Sequence, residues 1–84
     1  MTRLWREGEK IIVDADSEGV PLSLSWNGRM HPVNRIAKRW QVDMFWWEQR
    51  VCRTYFKLAS ETGLLVIIFY DRVGGAWYLQ RLYD

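Results

Sequence analysis

The chain has 84 residues, 49% of them hydrophobic and 26% charged, which is the composition of one small soluble domain and excludes a disordered chain. A single Cys excludes an internal disulfide, and one Cys with one His cannot supply a four-ligand structural zinc site. The net charge of +2 is too small to indicate nucleic acid by itself, so the unusual feature is the 15% aromatic content.

The start of the chain shows no signal peptide, and its longest apolar run, residues 64–70, is far shorter than the roughly 20 residues of a membrane helix. We therefore expect a cytoplasmic protein with no membrane partner. Residues 1–9 are expected to be a loose N-terminal segment of a single β domain spanning residues 1–84. Residues 10–14 predict the first strand, and the polar residues that follow predict a turn.

The next segment predicts a β-hairpin. Leu22, Leu24 and Trp26 alternate with serines, which is typical of a strand with one apolar face and one solvent-exposed polar face. Asn27 and Gly28 both accept positive φ and predict a two-residue turn. Such a turn pairs Trp26 with Arg29, Leu24 with His31 and Leu22 with Val33.

Beyond this hairpin the apolar positions change parity, because Ile36, Trp40 and Val42 follow Val33 out of phase. A strand with a period of two cannot change parity without an extra residue, so we predict a bulge near residues 34–35. Residues 43–48 break the alternation and predict a short turn or 3₁₀ segment, in which Asp43 could cap one helical turn.

Three further strands follow in the second half of the chain. Alternation over residues 50–58 places Cys52, Phe56 and Leu58 on one face of a strand, and Val51, Arg53, Tyr55 and Lys57 on the other. Residues 64–70 are apolar on both faces and predict a central strand, and residues 76–83 predict the last one. The pattern as a whole predicts an all-β fold: a meander of about six antiparallel strands, curled into a small SH3-like barrel.

The middle of the chain is basic although the total charge is small. Seven cationic residues and only two acidic ones lie between residues 29 and 57, in the segment that also holds Trp40, Trp46, Trp47 and Tyr55. Cations that follow phosphates and rings that stack on bases are the combination that binds single-stranded nucleic acid. The predicted nucleic-acid or partner-binding residues are Arg35, Lys38, Arg39, Trp46, Trp47, Arg50 and Arg53.

Two other interpretations of this segment stay open. Trp40 and one of Trp46 and Trp47 could fill the core while the basic residues form a solvated face. Trp, Tyr and Arg are also the residue types that dominate protein–protein contacts, so the segment could be a protein-binding patch.

No catalytic, cofactor-binding or metal-binding residue is predicted. Cys52 alternates in phase with buried residues and His31 lies on the hairpin face, so a nucleophile–base pair is not expected. Asp14, Asp16 and Glu18 lie close together but lack the spacing of a calcium loop and are typical of a polar turn. The chain is therefore expected not to be an enzyme.

Trp, Gly, Tyr and Arg residues mark most of the chain between residues 20 and 84. They include Trp26-Asn-Gly-Arg29, Arg39-Trp40, Trp46-Trp47, Arg53-x-Tyr55-Phe56, Gly63, Tyr70-Asp71 and Gly75-x-Trp77. This pattern resembles an uncharacterised bacterial domain-of-unknown-function family of small all-β proteins. It is similar as well to the C-terminal tail module of Y-family DNA polymerase-like proteins of the mutasome.

The resemblance implies a role near translesion synthesis and DNA repair, and it brings no catalytic signature. The leading hypothesis is a non-enzymatic accessory module that contacts a polymerase-like partner, single-stranded DNA or both. The rival hypothesis is a protein–protein or homo-oligomeric module without a nucleic-acid role. That rival would use an edge strand, and we expect the last strand to lie at such an edge.

Overall fold

The computed structural model describes the backbone of residues 3–83, with side chains described throughout that range except at residues 3, 5–7 and 46. These residues form an all-β fold without a helix, as predicted. The seven strands are β1 (Arg3–Ile11), β2 (Val13–Ala15), β3 (Pro21–Trp26), β4 (Arg29–Trp46), β5 (Gln49–Ser60), β6 (Leu65–Asp71) and β7 (Ala76–Tyr83).

The strands form one curled antiparallel sheet in the order β1-β7-β6-β5-β4-β3-β2. Strands β2 to β7 are a meander of consecutive hairpins, while β1 pairs with β7. Only Ile12 separates β1 from β2, so residues 3–15 pair with both ends of the meander and hold the sheet in its curl. Residues 3–9, expected to be loose, belong to β1, and residues 1–2 lie outside the described part of the chain.

The hairpin between β3 and β4 forms at the predicted turn, with φ values of 56° at Asn27 and 77° at Gly28. The predicted pairs of Trp26 with Arg29 and of Leu24 with His31 are confirmed. The predicted face is wrong at Leu22, which is 51% exposed while Ser23 is buried. A register shift against β2 leaves Leu22 without a partner there, and this bulge reverses the facing of the residues before it.

Strand β4 is longer than predicted and contains two bulges. The register with β5 shifts at Asn34, which confirms the predicted bulge, and again at Ala37. After the second bulge the pairing is regular from Lys38 to Trp46, so the turn predicted over residues 43–48 is confined to residues 47–48. Cross-strand pairing with β5 outweighs the local tendency of Asp43 to begin a helical turn.

The core lies on the concave side of the sheet. Its buried residues include Phe56 and Leu58 of β5 and Ile68 of β6, and burying each such side chain contributes roughly 1.5–3 kcal/mol. Strand β6 is central, as predicted, but the last strand is not at an edge. Strand β7 lies between β1 and β6, because β1, which precedes the meander in the chain, pairs with the edge of β7 that does not face β6.

Candidate nucleic-acid interface

The two faces of the sheet carry different side chains, because successive residues of a strand point to opposite sides. Residues directly opposite each other in neighbouring strands point to the same side. Phe56 and Leu58 point into the core, so Arg53, Tyr55 and Lys57, at the alternate positions of β5, point to the convex side. Following their partners across the sheet gives a surface that we call the convex basic face. Its cations are Arg35, Lys38, Arg53, Lys57 and Arg81, and its aromatic residues are Trp40, Tyr55, Phe69, Tyr78 and Tyr83.

Four aromatic rings form a row across this face, one from each strand between β4 and β7. The rings of Trp40 and Tyr55 stack with centroids 5.2 Å apart and 5° between their planes. The Tyr55 and Phe69 centroids are 5.1 Å apart, and those of Phe69 and Tyr78 are 5.2 Å apart. Tyr55 and Phe69 are buried in the middle of the row, whereas Trp40 and Tyr78 at its ends are half-buried.

The middle of the row is covered by β1. The register of β1 against β7 shifts between Leu4 and Glu9, and the backbone of Gly8 passes over Phe69 and Tyr78. A Cβ atom at Gly8 would lie 2.7 Å from the Cβ of Tyr78 and 2.9 Å from the Cε2 of Phe69. Phe69 is consequently only 1% exposed, and Trp40 on β4 is the ring of the row that lies farthest from β1.

The cations of the face lie against these rings. The Cζ of Arg53 is 4.5 Å from the ring centroid of Phe69, and its Nη1 donates a hydrogen bond of 3.3 Å to the Tyr55 hydroxyl. The Nζ of Lys38 is 5.4 Å from the Trp40 centroid. Such contacts hold cationic side chains over aromatic surface, where each contributes about 0.5–1 kcal/mol when exposed.

A second cluster of the same kind surrounds Tyr83 on β7. The Nζ of Lys57 and the Cζ of Arg81 lie 5.2 Å and 5.7 Å from its ring centroid. Arg81 also donates a hydrogen bond of 3.4 Å from Nη1 to the Tyr83 hydroxyl. Rings and cations therefore alternate along the convex basic face rather than forming separate patches.

The positive charge of this face is not neutralised by any described side chain. Lys38 and Lys57 are directly opposite each other in the β4–β5 ladder, an arrangement that destabilises a sheet. Among the described side chains, none of the five cations is within ion-pair distance of a carboxylate. Asp71 is opposite Arg53, but its Oδ1 accepts hydrogen bonds from the backbone N–H groups of Val73 and Gly74.

Five of the predicted site residues are divided between the two sides of the sheet. Arg35, Lys38 and Arg53 belong to the convex basic face, whereas Arg39 and Arg50 occupy the opposite register positions on the concave side. Arg50 donates a hydrogen bond of 3.4 Å to the carboxylate of Asp43, and this bond raises the pKa of Arg50 above its ordinary value.

The tandem tryptophans are at the end of the β4–β5 hairpin. Trp46 closes the hairpin opposite Gln49, and its side chain is outside the described part of the chain. Trp47 occupies the first position of the turn, with a φ of 57° and 87% exposure. The structure therefore separates Trp47 from the row of rings on the convex side.

Two cations of the convex basic face, Lys57 and Arg81, were missed in the sequence-based site, and so were its five aromatic residues, Tyr83 among them. Lys57 had been placed on the same face of β5 as Arg53, so the alternation of β5 carried the signal. Arg81 and Tyr83 alternate at i, i+2 in the last strand, but their proximity to Lys57 depends on the β5–β6–β7 register. Only the three-dimensional pairing brings these residues together.

A cavity of about 450 Å³ opens on the concave side of the sheet. Arg39 and Gln41 of β4, Tyr70 of β6 and Trp77 of β7 line one side of it, and the loop of residues 15–19 lines the other. The side chain of Asp16 is committed to that loop, because its Oδ1 accepts hydrogen bonds from the N–H groups of Glu18 and Val20. The volume and polarity of this cavity suit a small ligand, but the described residues of its wall form no cluster of reactive groups.

His31 and Cys52 do not form a pair in this structure. The Nδ1 of His31 is 2.6 Å from the hydroxyl of Thr62, and its Nε2 is 3.3 Å from the carbonyl of Trp26. A carbonyl only accepts, so Nε2 carries the proton in the neutral tautomer and Nδ1 accepts from Thr62. The contacts of His31 are those of a structural side chain, while buried Cys52 borders a different cavity beside Asp43.

No group of three His, Cys, Asp or Glu side chains suited to a metal ion occurs among the described residues. The described part of the chain also contains no helix long and apolar enough to span a membrane. Comparison of the chain with protein-family models, with curated proteins and with solved structures gave no match.

Proposed function

We propose that the chain is a non-enzymatic binding module that holds single-stranded nucleic acid on the convex basic face. The observation that carries this proposal is the pair of Lys38 and Lys57, which are opposite each other and have no carboxylate of a described side chain within ion-pair distance. Phosphate groups between these ammonium groups would turn a repulsive arrangement into an attractive one. Arg35, Arg53 and Arg81 continue the positive surface on both sides of the pair.

The aromatic residues favour a single strand over a duplex. Trp40 and Tyr83 are half-buried and lie beside Lys38 and Lys57 respectively, so a phosphate on each cation would bring a base within reach of a ring. An unpaired base can stack on such a ring, contributing roughly 1–3 kcal/mol, whereas the bases of a duplex already stack on one another.

The biological setting rests on the family resemblance alone. A module similar to the tail of Y-family polymerase-like proteins would act in DNA repair or translesion synthesis in the bacterial cytoplasm. Its partner would then be a polymerase-like protein, and the single strand would be the exposed template near that partner.

The test is a titration of labelled single-stranded oligonucleotide at low salt against two double variants. Lys38→Ala/Lys57→Ala removes the central pair of the convex basic face, and we expect its affinity to fall about tenfold. Arg29→Ala/Arg72→Ala removes the same charge from two exposed positions outside this face, the first residue of β4 and the turn after β6, and should change affinity less than twofold.

Stability separates a binding role of the two lysines from a structural one. Removing the two lysines relieves a like-charge repulsion of about 0.2–1 kcal/mol but also loses two cation–π contacts of about 0.5–1 kcal/mol each, so the free energy of unfolding should fall by no more than about 2 kcal/mol. Weaker binding together with a large loss of stability would contradict the proposal, as would equal losses of affinity in the two double variants. Failure of the wild-type chain to bind the oligonucleotide at low salt would overturn it directly.

A further inference from the structure

We propose that the free edge of β4 pairs with β4 of a second copy, joining two curled sheets into one around a twofold axis. The rival hypothesis placed an edge at the last strand, but the structure places the long free edge in the middle of the chain. This inference does not rest on the nucleic-acid proposal, because it is argued from the backbone groups and the charges at the free edge of β4.

The edge is long and regular. Strand β3 pairs with β4 only as far as the Ser23–Pro32 pair, and β4 then continues to Trp46. Within the described residues, β5 is the one strand that pairs with this continuation, and the register from Lys38 to Trp46 has no bulge. A flat, unpaired strand of this kind is a template for pairing with another chain.

The backbone groups at this edge point outward at known positions. The carbonyl of Cys52 accepts a hydrogen bond of 2.8 Å from the N–H of Arg72, so it points away from β4. Asp43 is opposite Cys52, and in an antiparallel ladder its N–H and C=O must then point away from β5. By the same alternation, the N–H and C=O groups of Arg39 and Gln41 also point to the free edge.

Of the twofold axes that this edge allows, only one brings opposite charges together. An axis at Trp40 or at Val42 places Arg39 or Asp43 opposite Gln41 and forms no Arg–Asp contact. An axis at Arg39 or at Asp43 would place two like charges directly opposite each other, which destabilises pairing. An axis at Gln41 pairs two neutral side chains and places Arg39 opposite the partner's Asp43. The symmetry repeats this Arg–Asp contact, so the interface would contain two such pairs on the concave side.

Asp43 can accept this additional contact. Its hydrogen bond to Arg50 is long, at 3.4 Å, and both side chains are more than half exposed. A carboxylate has two oxygens with about four acceptor positions, so a second guanidinium can bind without displacing the first.

The same register covers exposed apolar side chains of the β4–β5 hairpin. Phe45, on the concave side, is 74% exposed, and Met44, on the convex side, is half exposed. With the axis at Gln41, Met44 is opposite the aliphatic stem of the partner's Lys38, and Phe45 lies beside the bulge at the partner's Ala37. Burial of this apolar surface adds a favourable term to the backbone hydrogen bonds.

The first test uses charge reversal and sedimentation equilibrium over a concentration series without nucleic acid. Arg39→Asp and Asp43→Arg each place like charges opposite each other twice, so each variant alone should self-associate about tenfold more weakly than the wild-type chain. An equimolar mixture of the two variants restores both Arg–Asp contacts in a heterodimer. Association in the mixture should therefore return to the wild-type level, which a loss of monomer stability could not produce.

The second test uses proline at the edge. Gln41→Pro removes an N–H that points to solvent, so the monomer should keep its fold and circular dichroism while dimerisation is lost. Val42→Pro, at the next position, removes an N–H that bonds to β5 and should destabilise the monomer itself. Lys57→Ala weakens oligonucleotide binding under the first proposal but should leave self-association unchanged.

Three results would overturn the inference: a wild-type chain that stays monomeric at every concentration, a Gln41→Pro variant that still dimerises, or a mixture of charge variants that does not recover association.

Discussion

Gly8 determines how closely β1 approaches the aromatic rings of the convex basic face. Its φ of 82° is in the region that glycine occupies without strain, and its backbone lies directly on Phe69 and Tyr78. Because no side chain intervenes, β1 can pass close over the row of rings, and Phe69 beneath it is buried. A single glycine thus determines which rings of the face remain accessible, leaving Trp40 and Tyr83 as the stacking surfaces.

Replacing Gly8 by Ala should lower the free energy of unfolding by about 2–4 kcal/mol. The new methyl would meet the Cβ of Tyr78 at 2.7 Å, a stem atom that cannot rotate away, and the residue would keep an unfavourable positive φ. Urea denaturation measures the loss.

Gly19→Ala is the matched control for this change. Gly19 has the same φ of 82°, but nothing lies within 4 Å of a Cβ there, so the loss should be only about 1 kcal/mol. Equal losses at the two positions would show that φ alone matters and that the contact with the rings does not.

At the scale of the element, the β4–β5 hairpin consists of two different halves. Near the core, β5 also pairs with β6, from Arg53 to Ala59. Beyond Arg53 the hairpin projects as two strands alone, ending at the turn of Trp47 and Glu48. Positive φ at the first turn residue, with Glu48 outside that region, corresponds to a type II′ turn, where glycine is ordinarily found.

Replacing Trp47 by Gly should raise the free energy of unfolding by about 0.5–1 kcal/mol. The change removes the cost of a bulky residue at a φ of 57°, and the indole is 87% exposed, so little packing is lost. Thermal unfolding at low protein concentration, where self-association does not contribute, measures the effect.

Glu48→Gly, at the second turn position, provides the comparison. It relieves no positive φ and should lower stability slightly through the entropy of the unfolded chain. A clear loss of stability in Trp47→Gly would contradict this account and would mean that the indole packs against the protein.

Local patterns predicted several of these elements well. Asn27 and Gly28 identified the first hairpin turn, and the change of parity after Val33 identified the bulge at Asn34. The facing of Leu22 was mispredicted because its bulge arises from pairing with β2, which alternation within β3 does not contain. The continuation of β4 through residues 43–46 likewise depends on its partners in β5.

The predicted site was limited by the same physics. Alternation groups residues within one strand, so Arg53 and Lys57 could be assigned to one face. The two bulges of β4 determine that Lys38 and Arg39 point to opposite sides, and the β6 and β7 registers determine which residues join Lys57. Such long-range pairing leaves no local signal, and for this reason Arg81 and Tyr83 were absent from the prediction.

For the whole molecule, the distribution of charge matters more than its total. The net charge is only +2, yet the convex basic face has five cations without an ion-pair partner among the described side chains. Ligands that sample the entire surface experience little attraction, whereas a strand lying on this face meets every one of these cations. Binding by such a surface should be strongly dependent on salt.

The salt dependence of binding reports how many cations contact phosphate. If all five take part, the logarithm of the affinity for a single strand should fall with the logarithm of salt concentration with a slope of about −3.5. Lys38→Ala/Lys57→Ala should reduce the steepness by about 1.4. A slope near −1 for the wild-type chain would place most of the face outside the contact.

Residues 3–15 pair with strands from opposite ends of the meander, and this has a consequence for folding. Contacts between neighbouring hairpins can form early because their residues are close in sequence. The β1–β7 ladder pairs residues 3–11 with residues 77–82, the largest separation in sequence among the described ladders, so its loop-closure entropy is the largest of them. Until that ladder forms, β1 does not cover Phe69 and Tyr78. A partly folded chain therefore exposes an aggregation-prone aromatic surface that β1 covers in the folded protein.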